Sequence, residues 1–163
     1  MNKILLGRKL IIVAAILTII VPIGVDGFLL AKAHMANPLW LPHAKLHCAM
    51  SFFAAISLGV SSLAVLMTRP VIDRTNAAIA TFLSTTFWLG LVFAGILPGT
   101  SYGFLNDPNL TNLKPPIVFG IPIELNLATA ILSIIVGWFG FTLIFQGVEQ
   151  HKKTRLRSGV AKK

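Results

Sequence analysis

The chain has 163 residues, 55% of them hydrophobic and only 12% charged, with a net charge of +9 and a mean hydropathy of +0.81. A soluble domain of this length carries about 25% charged residues, so the composition excludes an ordinary water-soluble enzyme and places the chain among membrane proteins. The positive charge is segregated rather than interleaved with aromatics, which argues against a nucleic-acid surface, since base stacking needs both together.

The first apolar run, residues 10–30, follows Lys3, Arg8 and Lys9. It is too long for the apolar part of a signal peptide and is interrupted near its end by Pro22 and Asp26, so it reads as an uncleaved span. Three more runs follow at 46–67, 77–97 and 123–145. Each has about the 20 residues that a helix needs to cross a hydrocarbon core of roughly 30 Å. No segment alternates as a barrel strand would. The expected fold is therefore all-α: a single membrane domain, residues 1–163, built as a four-helix bundle with a basic tail at 146–163. The tail is expected to be mobile.

Charge orients the bundle. Eleven of the 14 Lys and Arg lie in the N-terminus, the connection between spans two and three, and the tail, three segments that four spans put on one side. Only Lys32, Lys45 and Lys114 lie on the other. This asymmetry predicts cytoplasmic N- and C-termini and a tail lying against anionic headgroups. The membrane lipid is thus the one partner that composition names. The single cysteine, Cys48, rules out an internal disulfide or a thiolate metal cluster, and a buried, inert thiol is the expectation.

Between the first two spans lies "HMANPLWLPHAKLH", residues 34–47. Asn37-Pro38 reads as a turn and Trp40 as an interfacial anchor, while Pro42 suits the first turn of a helix. A helix starting near Leu41 puts His43 and His47 at i and i+4. Their four-residue row continues through Ser51, Ala55 and Gly59, small residues that membrane helices use for close approach. The row predicts a histidine face turned into the bundle. The next connection, at 68–76, is short, with Arg69-Pro70 as the helix stop. In span three, Thr81, Ser84, Thr85 and Trp88 form a polar stripe expected to make hydrogen bonds between helices. The last connection, 98–122, carries five prolines and reads as a long, turn-rich loop. Its Tyr102, Phe104, Leu105, Ile117 and Phe119 are expected to lie on the membrane surface or over the bundle. Asn109-Leu110-Thr111 is a glycosylation sequon by pattern, meaningful only in a eukaryotic host.

Of five acids, Asp73, Asp107 and Glu149 read as solvated charges, whereas Asp26 and Glu124 fall near the ends of spans on the same side as His34, His43 and His47. Ionisable groups at such depths are costly and usually face a protein interior or wet cavity. Three readings stay open. The histidines and Asn37 satisfy backbone groups in a broken loop; or His43, His47 and His34 exchange protons with Asp26 or Glu124, with Asn37 as a positioning donor; or His43 and His47 hold a metal with a carboxylate from another helix. No cofactor is named by any motif, and H-x-x-x-H lacks the glutamate that makes the zincin pattern specific.

The 34–47 segment resembles a stretch in a largely uncharacterised family of small four-span membrane proteins from fungi and bacteria. That pattern runs His-x-x-Asn-Pro-x-Trp-Pro-Pro-His-Ala-Lys/Arg-x-His, with an acid upstream. His34, Asn37, Pro38, Trp40, Pro42, His43, Ala44, Lys45 and His47 match it; Leu41 replaces the first paired proline, and Asp26 lies further upstream than the family's acid. The resemblance implies a site without naming its reaction, and the expected location is a bacterial inner (plasma) membrane. Sterol-isomerase-type bundles are similar in size and move protons on lipid-like substrates with His and acids, a likeness of architecture alone. Together these point to acid/base chemistry on a small apolar or lipid-like ligand. The alternative is a non-catalytic subunit, binding module or carrier in which the motif is structural.

Overall fold

The computed structural model describes residues 2–68, 73–103 and 116–160. Four helices dominate it: α1 (Lys3–Pro22), α2 (Pro42–Met67), α3 (Arg74–Ala94) and α4 (Leu125–Val160). All four are long and apolar enough to cross a membrane. The protein is an all-α four-helix bundle of the membrane class.

The helices start where their capping chemistry allows rather than where hydrophobicity begins. Asn2 accepts from the N–H groups of Ile4 and Leu5 at 3.0 and 3.4 Å, so α1 starts seven residues before the apolar run. Pro42 takes the first position of α2. Asp73 caps α3 by accepting from Asn76 N–H at 2.8 Å, which gives a structural task to an acid that looked merely solvated. The Arg69-Pro70 stop lies outside the described residues. At its far end α4 does not stop with its apolar run but continues through the basic tail to Val160. A 36-residue helix is about 54 Å long, well beyond the roughly 30 Å core of a bilayer.

Each helix packs on its neighbours in the cyclic order α1, α2, α3, α4, and α1 also meets α3 across the centre. Close approach of α1 and α4 rests on glycine. A Cβ on Gly7 would collide with the Gly140 carbonyl, and one on Gly140 would sit 2.8 Å from the Gly7 carbonyl. Gly59 does the same for α2 against Ala15 and Ile19 of α1. Near the end that carries both termini, Ile11, Leu66, Ala77, Ala80 and Ile144 form a buried apolar cluster. Arg8 donates to the Leu66 carbonyl at 2.8 Å there, and Arg74 pairs with Glu149 while lying 4.3 Å over the Phe145 ring.

The polar stripe of α3 is buried as a whole. Only part of it bridges helices: Trp88 Nε1 donates to Thr18 Oγ1 at 2.8 Å, and the Ser84 carbonyl accepts from Thr18 at 2.7 Å. The hydroxyls of Ser84 and Thr85 instead bond back to Thr81 within their own helix. Between α3 and α4 the described residues include a small antiparallel hairpin, β1 (Ile117–Val118) with β2 (Ile121–Pro122). Its turn has Phe119 and Gly120 at φ 50° and 79°, the paired positive values of a tight hairpin turn. Phe119 projects almost fully exposed, and Ile117 is exposed beside it. Tyr102, by contrast, folds down onto Gly95 and donates to the Val92 carbonyl at 2.6 Å. Phe104, Leu105, Asp107, the sequon at Asn109 and Lys114 lie outside the described residues.

Candidate functional site

The site starts from a break in α1. Pro22 has no N–H to give to the turn before it, and the next seven residues, Ile23–Leu29, wind as a π-helix. Leu30 N–H accordingly donates to Val25, five residues back, at 2.6 Å. Such widened turns recur at functional sites because they re-aim a side chain at little cost to the helix. Asp26 lies on this one.

Beyond it a short 3-10 turn, Ala31–Ala33, folds the chain back. Asn37 holds the fold: it is 1% exposed, its Oδ1 accepts from Leu39 N–H at 2.9 Å, and its Nδ2 donates to the Ala33 carbonyl at 3.4 Å. Asn37 thus serves as the staple of the loop. The fold-back brings His34 over Asp26, with Nε2 3.8 Å from the carboxylate. His34 Nδ1 lies 3.1 Å from the Leu30 carbonyl, which can only accept, so Nδ1 carries a hydrogen. Trp40 meets the imidazole edge to face at 5.7 Å between ring centres. The ring is therefore oriented by a carbonyl on one side and an indole on another.

This geometry limits where the proton can be. With Nδ1–H committed to Leu30, a neutral His34 presents a lone pair at Nε2, and an ionised Asp26 has only acceptors. Facing each other in this way, a carboxyl group and an imidazole offer one acid and one base side by side. At 3.8 Å the two groups stand within ion-pair range but beyond hydrogen-bond distance, so passing a proton between them requires a small closing movement or one bridging water.

Asp26 also lines a cavity of about 310 Å³ between α1, α3 and α4. Val21, Val25, Leu29, Leu91 and Leu125 make its wall mostly apolar, and the buried Trp88 forms part of it. Asp26, Asn126 and Thr129 are its polar points. Asn126 Nδ2 donates to the Tyr102 carbonyl at 3.1 Å, which ties this end of α4 to the loop after α3. A mostly apolar concavity with a few convergent polar groups is the usual form of a small-molecule site.

The other expected residues lie apart from it. His43 and His47 are exposed and pair with each other, Nε2 to Nε2, at 3.0 Å; neither lines the cavity. Their row does enter the bundle at Ala55 and Gly59, which are fully buried. A row of every fourth residue turns by about 40° per step, so the four steps from His43 to Gly59 carry it nearly to the opposite side of α2. The inward histidine face expected from the small residues is thereby corrected. Glu124 stands just before α4 with its carboxylate against Gly103, not in the cavity wall. Cys48 is half-buried rather than buried. Among the described residues no three His, Cys, Asp or Glu come together as a metal centre would require. Sequence reasoning missed Asn126 and Thr129, although their i, i+3 spacing at the head of an apolar helix was a usable signal, and it gave Trp40 to the membrane alone.

The fold and site together define a four-helix membrane protein with a carboxylate–imidazole pair at the wall of an apolar cavity. No protein-family model, curated protein or solved structure matches the chain.

Proposed function

We propose that the protein takes an apolar, lipid-like molecule into the α1–α3–α4 cavity and moves a proton on it with the Asp26–His34 pair. The observation that carries this reading is the Asp26 carboxyl group in a mostly apolar wall, backed by an imidazole whose other nitrogen is already committed. In the acid–imidazole state Asp26 donates its proton to a substrate atom at the cavity wall, and the resulting carboxylate is reprotonated by His34 after Nε2 has taken up a proton from solvent or from the product. In the reverse direction, with Asp26 ionised and His34 neutral, the carboxylate takes a proton from the substrate and becomes the acid, and His34 Nε2 then accepts that proton and passes it to solvent. The apolar surroundings exclude water and strengthen these interactions. Asn126 and Thr129 supply the neutral polar contacts that orient a single hydroxyl or carbonyl on the ligand.

The cation asymmetry supports cytoplasmic termini, which puts the cavity at the opposite, outward end of the bundle. The membrane in which the bundle sits is proposed to be a bacterial plasma membrane. On this reading the bilayer is both partner and source of the ligand, which reaches the cavity from between the helices.

Mass spectrometry of molecules retained by the full chain, purified in mild detergent, tests the proposal. The wild type is expected to hold a discrete apolar species, and Thr129→Trp, which fills the cavity, to lose it. Asp26→Asn and His34→Gln should keep binding but retain an unconverted precursor, because loss of a general acid or base slows a reaction by about 10²–10⁴-fold. Identical species in the wild type and Thr129→Trp would refute the cavity. If Asp26→Asn retains the wild-type species unchanged, the protein is a binding module and the proton chemistry is wrong.

A further inference from the structure

His43 and His47 are the part of the motif that the cavity does not use. They are the second and sixth residues of α2, exposed at its first turns, with ring centres 4.5 Å apart and planes at 90°. Their Nε2 atoms face each other 3.0 Å apart, within hydrogen-bond distance. A proton shared between the two rings fills that gap. A metal ion bound to both nitrogens would instead sit to one side of the line that joins them. Imidazole binds zinc at about 2.0–2.1 Å, and two such nitrogens on one ion stand about 3.3 Å apart in a tetrahedron, or about 2.9 Å as neighbours in a square plane. The separation observed lies between these values, so a chelate requires little movement of either ring.

We infer that His43 and His47 form a two-histidine chelate for a borderline divalent ion of the zinc, nickel or copper class. Imidazole ligands suit these ions and not magnesium or calcium, which prefer oxygen. Pro42 presets the first turn on which the pair stands, and the four-residue spacing stacks the two rings on one side of the helix. No third His, Cys, Asp or Glu joins them among the described residues. The ion therefore keeps coordination positions open to water or to a ligand carrying an oxygen or nitrogen donor. The positive end of the α2 dipole opposes a cation here, which favours moderate affinity and reversible exchange. This site stands independently of the Asp26–His34 proposal.

The test uses the full chain in detergent, purified by a tag without histidine and freed of metal. Zinc, and separately nickel, is titrated against a chromogenic chelator, with His151→Ala as a control for the remaining exposed imidazole. Wild type and His151→Ala should each take up one equivalent below about 100 µM, and His43→Gln or His47→Gln should weaken binding at least tenfold. Zinc should also raise the wild-type melting temperature and leave that of either variant unmoved, because an ion that binds only the native state stabilises it. The inference is overturned if the wild type takes up no ion below about 100 µM. It is equally overturned if both Gln variants, still folded by circular dichroism, bind as the wild type does.

Discussion

Thr18 shows how much one hydroxyl can do in a bundle with few polar groups. It accepts from Trp88 Nε1 at 2.8 Å and lies within bonding reach of two carbonyls, Ala14 in its own helix at 2.9 Å and Ser84 in α3 at 2.7 Å. All of these groups are buried, so a donor left alone has no water to turn to. Thr18→Val keeps the shape and removes the acceptor. It should destabilise the bundle by about 1 kcal/mol, within the range of side-chain hydrogen bonds between membrane helices. In a Trp88→Phe background the same change should cost much less, and a double-mutant cycle on unfolding in detergent reads the difference. An equal cost in both backgrounds would show that Trp88 and Thr18 act separately. Trp88 lines the cavity as well, so its bond to Thr18 also braces the cavity wall.

At the scale of elements, the contact between α1 and α4 is made by absence. Gly7 and Gly140 bring backbone within reach of backbone, and lipid-exposed helices gain from such contact because burial of apolar surface offers them little. Gly140→Leu must push the helices apart. A loss of about 1–3 kcal/mol, the usual range for overpacking, should appear as a lower unfolding temperature in detergent, whereas Gly90→Ala, where an added Cβ meets nothing, should leave it nearly unchanged. The extension of α4 has a different cause. Once past the bilayer, residues 146–160 have no apolar run to signal a helix, yet the helix already formed propagates one bond per residue. Glu149 and Arg74 pair across to α3 and hold its base.

For the whole molecule, orientation is the property on which the proposed chemistry depends. With Cys48 replaced by Ala, Ser101→Cys should react with a membrane-impermeant maleimide in intact cells. Ser158→Cys should react only after permeabilisation. The reverse pattern would place the cavity end in the cytoplasm and the basic extension of α4 outside. Both residues are exposed in the structure, so failure to label reports the membrane and not burial.

Hydrophobic run lengths alone were enough to specify four spans, the all-α class and the short connection after α2, because a bilayer leaves a chain of this composition few alternatives. The start of α2 was legible in Pro42 for a local reason, the proline's preset φ. What lay beyond sequence reasoning was which side chains meet. His34 reaches Asp26 because Pro22 widens α1 into a π-turn and Asn37 staples the returning loop, and no periodicity encodes that fold-back. His43 and His47 share a face with Gly59 in the sequence pattern, yet the pitch of the helix carries them to the opposite side. Residue spacing determines neighbours within a helix. Only the packing of α1, α3 and α4 around one cavity decided that Asp26, and not Glu124, lines it.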